Sequence, residues 1–311
     1  MYNVVGNTSD FILEGFLFSP EARVPLFLLV FFGYIIIIFV NTTLFLTIFF
    51  HTHLHGPMYV MLCNLIMCDL FGSTAVMPRL MADFFVDVKV ISFAACIIQA
   101  FFIHMYYLAG QLVLAAMALD RYVAICNPLR YNTIMTPRMV VKLCSIAWGG
   151  AFIMVVILLS TTISLKKCKS LVVHAYCFNG ALFVLACGDY TANNIYGLFI
   201  TYFPSTLSMS AIVFTYTKIL IACFFKAQAN AKSKALQTCA SHLTVYVIFE
   251  TTLLFSIMAL RFPNINPTLT KIFGTVMITV PPCLNPLIYG INTKEIRNTV
   301  LKHFKKKITS S

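Results

Sequence analysis

The chain has 311 residues, of which 60% are hydrophobic and only 10% are charged. A soluble domain carries roughly 25% charged residues, so this composition excludes an ordinary soluble protein. The formal net charge is +12, but the basic residues flank apolar runs and form no single patch, which excludes nucleic-acid binding as their use.

Seven apolar segments follow one another along the chain, and each is long enough to cross a membrane, since a spanning helix needs about 20 residues. The predicted spans are residues 25–50, 57–82, 91–124, 139–163, 190–222, 235–260 and 270–292. Their polarity does not alternate, which excludes the strands of a membrane β-barrel. The expected fold is an all-α bundle of seven transmembrane helices in residues 25–293, between an N-terminal segment 1–24 and a tail 294–311.

The distribution of positive charge predicts the orientation of the bundle. Segments 121–142, 218–234 and 294–307 hold 4, 4 and 6 of the 22 Lys and Arg residues. Because cytoplasmic loops are enriched in these residues, the N-terminus is expected outside the cell and the C-terminus inside, in a multi-pass plasma-membrane protein surrounded by lipid. The acceptor sequence Asn7-Thr8-Ser9 predicts glycosylation of Asn7 on the same outer side. Residues 1–24 show no removable signal peptide, so the first span is expected to direct insertion.

The tail is predicted to form a short amphipathic helix on the cytoplasmic surface. Helical spacing places its apolar residues on one face: Ile296, Val300, Leu301 and Phe304.

Eleven cysteines are present, so at least one is unpaired. Four of them fall on the oxidising side of this topology: Cys96, Cys168, Cys177 and Cys187. Four cysteines allow three pairings. Three of the four lie in the long loop 166–189, which cross-linking would hold compactly over the mouth of the bundle.

Polar residues inside apolar spans are expensive and are expected to serve a function. Asn41, Asp69 and the run Asn285-Pro286-Leu287-Ile288-Tyr289 lie in three different spans, and polar groups in hydrocarbon should converge. Pro286 removes a backbone hydrogen bond and makes its helix deformable. Asn41 and Asp69 are candidates for holding a sodium ion; no other cofactor or metal is expected.

Asp120 and Arg121 follow an uncharged run of 29 residues, 91–119. On local grounds this pair is either a functional charge pair or a marker of the membrane edge, where an arginine extends its head group toward water.

Four segments resemble odorant receptors, a family of rhodopsin-like class A G-protein-coupled receptors. Residues 117–126, Met-Ala-Leu-Asp-Arg-Tyr-Val-Ala-Ile-Cys, are similar to the signature that closes helix three, with Leu119 where Tyr is usual. Residues 54–59 resemble the first inner loop, 233–243 the beginning of helix six, and 281–290 helix seven.

Two further features refine this resemblance. Val40 stands where the family usually has Gly. Segments 174–177 and 185–189 are more similar to the class I, fish-like, receptors than to class II.

The resemblance implies specific pairings and roles. Cys96 should pair with Cys177, and Cys168 with Cys187. Arg121 is held by Asp120 at rest and is released when helix six moves outward, which opens a cleft for a heterotrimeric stimulatory G protein that raises cyclic AMP. The other expected switch residues are Tyr216, Asn285, Pro286 and Tyr289.

A small-molecule odorant is expected among the outer halves of helices three, five, six and seven. The candidate ligand residues are His104, Tyr107, Leu108 and Gln111 on one helical face, with Glu250, Leu254, Ile257 and Arg261 on helix six. Glu250 and Arg261 share a face but lie about 16 Å apart along the axis, so they should not pair directly. Glu250 stands where the family usually has an aromatic residue, and its carboxyl is expected to be protonated, bonded to a group such as His104, or a counter-charge for a ligand.

Two ligand classes follow from these charges. A carboxylic acid would be anchored by Arg261, which could otherwise extend to the membrane interface; an amine would be anchored by Glu250. The acid is favoured.

Other functions have weaker support in the sequence. No convergent catalytic set is present, so an enzyme is not expected, and His51, His53 and His55 indicate an interfacial turn. A transporter or channel with Asp69 and Glu250 on an ion path is the main alternative. A non-signalling partner subunit is disfavoured by the intact Asp120-Arg121 pair.

Overall fold

The computed structural model describes residues 10–16, 19–225, 229–261 and 265–300, without the side chains of 229–238, 260 and 261. The helices are α1 (Pro20–Phe50), α2 (Pro57–Asp83), α3 (Phe93–Cys126), α4 (Tyr131–Ile134), α5 (Pro137–Ser164), α6 (Asn179–Phe183), α7 (Thr191–Phe225), α8 (Ala229–Arg261), α9 (Pro267–Asn292) and α10, from 294 to at least 300.

Seven of these helices are long and apolar enough to cross a membrane, which confirms the predicted bundle. Four of them, α1, α2, α5 and α9, begin with proline, whose missing N–H is not needed in the first helical turn. The hydroxyl of Ser92 accepts a hydrogen bond from the Ala95 N–H at the start of α3, and Thr136 does the same for Met139 at the start of α5.

Helix α3 occupies the centre of the bundle and packs against α2, α5, α7 and α8. Gly72 on α2 allows α3 to pack closely against it, because a Cβ at this position would lie 2.5 Å from Cγ of Tyr106 on α3. By contrast, large side chains on α1 such as Leu29 and Phe39 are exposed, as expected of a helix that faces lipid.

A small three-stranded sheet, not predicted from the sequence, covers one end of the bundle. Its strands are β1 (Asp10–Leu13), β2 (Lys89–Ser92) and β3 (Leu171–Val172), in the order β2-β1-β3. Strand β1 pairs antiparallel with β2 and parallel with β3. The start of the predicted third span therefore belongs to a strand, and the helix begins at Phe93.

The long loop at this end contains two disulfides. Cys96 is bonded to Cys177, which ties the start of α3 to the loop, and Cys168 is bonded to Cys187 within it. These are the pairings that the resemblance implies. We call this the disulfide end of the bundle, and the opposite end, where α3 terminates, the Arg121 end.

The tail helix α10 is present, and Ile296 on it is fully buried while Val300 packs against the core. Leu301 and Phe304, predicted on the same face, lie outside the described residues, as does the glycosylation candidate Asn7.

Candidate functional site

A cavity of about 100 Å³ lies inside the disulfide end, between α3, α7, α8 and the long loop. Its lining residues are His104, Tyr107, Leu158, His174, Tyr176, Phe178, Asn179, Gly180, Phe183, Gly197, Leu198, Thr201, Leu253, Ser256 and Ile257. Aromatic and apolar side chains predominate, with a few polar groups among them, which is typical of a site for a small organic molecule.

Three of the eight predicted ligand residues line this cavity: His104, Tyr107 and Ile257. Leu108, Gln111 and Glu250 are buried but do not line it. Arg261 is the last residue of α8, and its side chain is not among the described parts of the structure.

Leu254, also predicted to contact the ligand, is not among the residues that line this cavity. Its side chain is 37% exposed on the outer surface of the bundle, whereas Leu253 and Ile257 line the cavity. Successive helical residues are rotated by about 100°, so an error of one position turns a side chain from the interior toward lipid.

His104 is bonded to the long loop and not to Glu250. Its Nε2 accepts a hydrogen bond of 3.2 Å from the backbone N–H of Asn179. In a neutral imidazole the ring proton is then on Nδ1, so the ring keeps one donor for another partner.

The side chain of Asn179 anchors the loop to α5 and α7. Its Oδ1 accepts from the hydroxyl of Thr162 at 2.5 Å, and its Nδ2 donates to Oδ1 of Asn193 at 3.1 Å. Asn193 also donates to the hydroxyl of Thr162 at 2.8 Å. Sequence reasoning missed Asn179, because nothing in a loop sequence shows which helices it will contact.

Glu250 belongs to a buried network that joins three helices. Nε2 of Gln111 on α3 donates to Oε2 of Glu250 on α8 at 2.8 Å and to the hydroxyl of Ser205 on α7 at 2.7 Å. Glu250 is only 3% exposed. One amide group thus satisfies both its donors on two neighbouring helices, and the carboxyl is already engaged within the protein.

An aromatic cluster closes the cavity toward the sheet. The ring of His174 lies 4.5 Å from that of Tyr176 and 4.8 Å from that of Phe178, both in edge-on geometry. Burial, and secondarily the charge of Lys271, lowers the pKa of His174 to about 3. Burial also raises the pKa of Tyr176. His174 is therefore a neutral part of the lid at physiological pH.

The N-terminal segment is fastened to α9 by an ion pair. Nζ of Lys271 lies 2.8 Å from Oε2 of Glu14, and the lysine side chain is 4% exposed while that of Glu14 is 29% exposed. An unpaired buried ammonium is costly, so Glu14 stabilises both the lysine and the position of the segment.

Two of the three predicted polar-core residues meet directly in the middle of the bundle. Nδ2 of Asn285 lies 2.9 Å and 3.2 Å from the two carboxyl oxygens of Asp69. Asn41 contacts the same helix through its backbone, because its Nδ2 donates to the carbonyl of Pro282 at 2.8 Å. The polar groups of α1, α2 and α9 thus converge on α9.

At the Arg121 end, Asp120 holds the arginine side chain. Nη2 and Nε of Arg121 lie 2.6 Å and 3.2 Å from Oδ2 of Asp120, whose other oxygen accepts from the hydroxyl of Tyr131 at 2.8 Å. Burial raises the pKa of Tyr131, and the charge of Asp120 raises it further. The arginine is directed into a protein contact, which favours a functional pair over a marker of the membrane edge.

A second contact at this end fixes α8. Nε2 of His242 on α8 donates to the carbonyl of Leu114 on α3 at 3.0 Å. Nδ1 of the same neutral ring is then an acceptor, and the hydroxyl of Tyr216 on α7 donates to it at 2.7 Å. Three helices are thus joined through one imidazole that sequence reasoning did not single out.

The hydroxyl of Tyr289, another predicted switch residue, is buried and has no hydrogen-bond partner among the described residues.

Comparison with known proteins identifies the family. The sequence profile of the olfactory receptor family matches residues 29–307. Human olfactory receptor 52H1 is 37% identical over 88% of both chains, and human olfactory receptor 52K2 is 36% identical over 86% of both. This chain belongs to the olfactory receptor family.

The fold of this olfactory receptor is the rhodopsin-like one. Squid rhodopsin superposes with a TM-score of 0.72 over 95% of this chain and 84% of the rhodopsin chain, at 16% sequence identity. The similarity of this chain to family 52 receptors agrees with the predicted class I subgroup. Family membership makes the chain a multi-pass membrane receptor with a small-molecule ligand and a G-protein partner, in a family that is not a class of enzymes.

Proposed function

We propose that this receptor binds a small carboxylic acid in the cavity at the disulfide end and activates a stimulatory G protein, which raises cyclic AMP. The disulfide end then faces the extracellular space, with the N-terminus, and the receptor works in the plasma membrane. The observation that carries the acid proposal is the hydrogen bond from the Asn179 N–H to Nε2 of His104. This bond leaves the Nδ1–H of a cavity-lining residue as a donor, and a carboxylate is a strong acceptor.

The cavity lining supports an acid over an amine. No Asp or Glu is among the lining residues, so within the described part of the chain a cationic ligand would find no counter-charge there. Glu250, the candidate anchor for an amine, is bonded to Gln111 and does not line the cavity. We assign the carboxylate anchor to Arg261, which terminates α8 at the same end of the bundle.

The volume of about 100 Å³ favours a small ligand. Drug-sized ligands occupy pockets of about 300–1,000 Å³. His174, Tyr176 and Phe178 line the cavity on the side of the long loop, and exclusion of water by this lid would strengthen a charge-assisted hydrogen bond inside.

Activation is proposed to separate α8 from α3 at the Arg121 end. In this structure Arg121 is paired with Asp120, and His242 on α8 is hydrogen-bonded to α3; we take this as the closed arrangement. A further cavity of about 320 Å³ lies at this end, lined by Arg121, Tyr131 and residues 56–59 and 292–295, so it is separate from the cleft that the movement of α8 would open for the G protein. An acid activates the receptor by binding the open arrangement more tightly than the closed one.

The experiment that tests the proposal is a cyclic-AMP reporter assay in cells that express the receptor. Panels of short-chain acids, amines and neutral odorants are applied to cells with and without the stimulatory α subunit. We expect acids to evoke a response that disappears without this subunit and that Arg261→Ala weakens strongly. Responses confined to amines would overturn the ligand class, and a ligand-evoked ion flux without any G protein would favour the transporter alternative.

A sodium ion in the polar core remains part of this proposal. Oδ1 of Asn41 and Oδ1 of Asn285 are buried and accept no hydrogen bond from the described residues, and the carboxylate of Asp69 lies beside Asn285. Oxygen atoms of this kind are the ligands that hard cations prefer. Sodium-dependent protection against thermal unfolding, absent in Asp69→Asn, is the corresponding test.

A further inference from the structure

A second cavity at the disulfide end lies apart from the one described above. It has a volume of about 200 Å³ and lies between α1, the end of α2 and the N-terminal segment. Its lining residues are Phe16, Arg23, Leu80, Asp83, Phe84, Val86, Asp87 and Lys89. It shares no lining residue with the cavity around His104.

Asp83 supplies an unused acceptor to this cavity. Its side chain is 5% exposed, and Nε of Arg79 lies 2.8 Å from Oδ1. Oδ2, however, is buried and has no hydrogen-bond partner among the described residues. A buried polar atom of this kind is normally satisfied by a water molecule or a ligand.

Lys89 supplies an unused cation. The residue is 8% exposed, and its Nζ forms no ion pair with any carboxylate in the described part of the chain. The N-terminal segment closes over its stem at Gly15, where a Cβ would lie 2.5 Å from Cδ of Lys89. Gly15 also has a φ of 63°, a conformation that glycine adopts without strain. The backbone is thus shaped to hold this lysine.

The remaining charges at the rim neutralise each other. Nη2 of Arg23 lies 3.4 Å from Oδ1 of Asp87, and the Asp87 side chain is 86% exposed. Arg79 lies beside Asp83, and the charge of Lys89 also acts on this carboxylate, so three basic and two acidic side chains leave a net charge of +1 around the cavity, with Oδ2 of Asp83 as a free acceptor. Three basic side chains close by disfavour a metal cation.

We propose that this cavity is a second ligand site that binds a small carboxylate carrying a hydroxyl or amino group on the adjacent carbon. The carboxylate pairs with Nζ of Lys89, and the hydroxyl or amino group donates to Oδ2 of Asp83. Both partners are buried, so each contact is a charge-assisted hydrogen bond shielded from water. A hydroxy acid satisfies both groups and brings the local charge to zero.

Binding of glycolate to the purified full-length receptor in lipid nanodiscs tests this proposal, with isothermal calorimetry as the readout. Propionate is the matched probe, because it carries the carboxylate but no adjacent donor. We expect a saturable component of glycolate binding that persists in His104→Ala, where the first cavity is altered, and that Lys89→Gln weakens about tenfold or more, the loss of one charge-assisted bond. Asp83→Asn should reduce the preference for glycolate over propionate. The neutral amide offers the glycolate hydroxyl either a weaker acceptor oxygen or an NH2 group that cannot accept.

Three variants separate this site from other causes. Asp87→Asn at the exposed rim is the control and should leave glycolate affinity within about twofold. His104→Ala alters the first cavity and should leave this binding intact. Gly15→Ala, which displaces the Lys89 stem, should weaken binding even if Asp83→Asn fails to fold. Three results would overturn the proposal. Glycolate affinity could be unchanged in Lys89→Gln, or glycolate could bind no more tightly than propionate. Glycolate could also fail to bind because the cavity holds water only.

Discussion

Nδ2 of Asn41 donates a 2.8 Å hydrogen bond to the carbonyl oxygen of Pro282. This carbonyl is the one that Pro286 leaves without a helical donor, because proline lacks the N–H that residue i would give to residue i−4. The same compensation occurs one turn earlier, where the hydroxyl of Tyr106 donates at 3.1 Å to the carbonyl of Met277, four residues before Pro281. Side chains from α1 and α3 thus complete the backbone of α9.

Asn41→Leu should therefore destabilise the bundle by about 1 kcal/mol, the usual strength of an interhelical hydrogen bond in a membrane. The carbonyl of Pro282 would be left unsatisfied in hydrocarbon. Thermal unfolding of purified receptor measures the effect. Thr42→Val, on the exposed side of the same helix, is the control; equal melting temperatures for the two variants would contradict this role of Asn41.

Arg121→Ala should abolish G-protein coupling while the receptor still reaches the cell surface. The Arg121 side chain is 19% exposed, and Asp120 keeps the hydrogen bond from the hydroxyl of Tyr131 when the guanidinium is lost, so the bundle should still fold. Cyclic-AMP accumulation and surface immunostaining are measured on the same cells. Coupling retained at normal surface density would refute the switch.

Two substitutions of Glu250 should differ in their effects on the stability of the receptor. Glu250→Gln keeps an oxygen that can accept from Gln111, so responses to acids and thermal stability should change little. Glu250→Leu leaves a buried donor of Gln111 unpaired and should cost about 1–3 kcal/mol. Dose–response curves and melting temperatures distinguish the two. A strong loss of potency in Glu250→Gln would instead show that the carboxylate charge binds the ligand.

His174 should make receptor stability dependent on pH. Its pKa is about 3 in the folded state against an ordinary value of 6.5, so the unfolded chain takes up a proton at higher pH than the native one. The stabilisation is complete above pH 6.5 and is lost progressively as the pH falls from there toward 3. His174→Phe should reduce the change of the melting temperature with pH between these limits. A parallel pH profile in the variant and the native receptor would assign the effect to other groups.

The ion pair between Glu14 and Lys271 should show coupling in a double-mutant cycle. Glu14→Gln leaves the buried ammonium without its counter-charge and should cost about 1–2 kcal/mol, less than a fully buried pair because Glu14 is partly exposed. Lys271→Met removes the buried charge and should cost less. In the double variant Glu14→Gln should have no further effect; additive losses in melting temperature would mean that the two residues act independently.

Much of the fold follows from the sequence, because hydropathy over a span of about 20 residues is a strong signal in a membrane protein. The contact between Asp69 and Asn285 also follows, since polar groups in hydrocarbon need one another. The resemblance to odorant receptors supplied the disulfide pairings and the Asp120-Arg121 pair.

The site is less predictable for a geometric reason. Helical spacing shows which residues share a face but not the rotation of that face to within one position. The structure has Leu253 on the cavity and the adjacent Leu254, which the sequence predicts as a ligand contact, 37% exposed. The hydrogen bond between His104 and Asn179 joins residues 75 positions apart, and Asn179 begins the five-residue helix α6 inside the long loop. Strands of 4, 4 and 2 residues are too short to leave a periodic pattern.

Strand β1 lies between β2 and β3, and these two strands do not pair with each other. The turn after α2 and the long disulfide-bonded loop are therefore connected within the sheet only through the residues that precede the first span. A cut, a bulky tag or a bound antibody at these residues acts on two distant loops at once. In this receptor residues 10–13 thus join two loops of the disulfide end that lie far apart in the sequence.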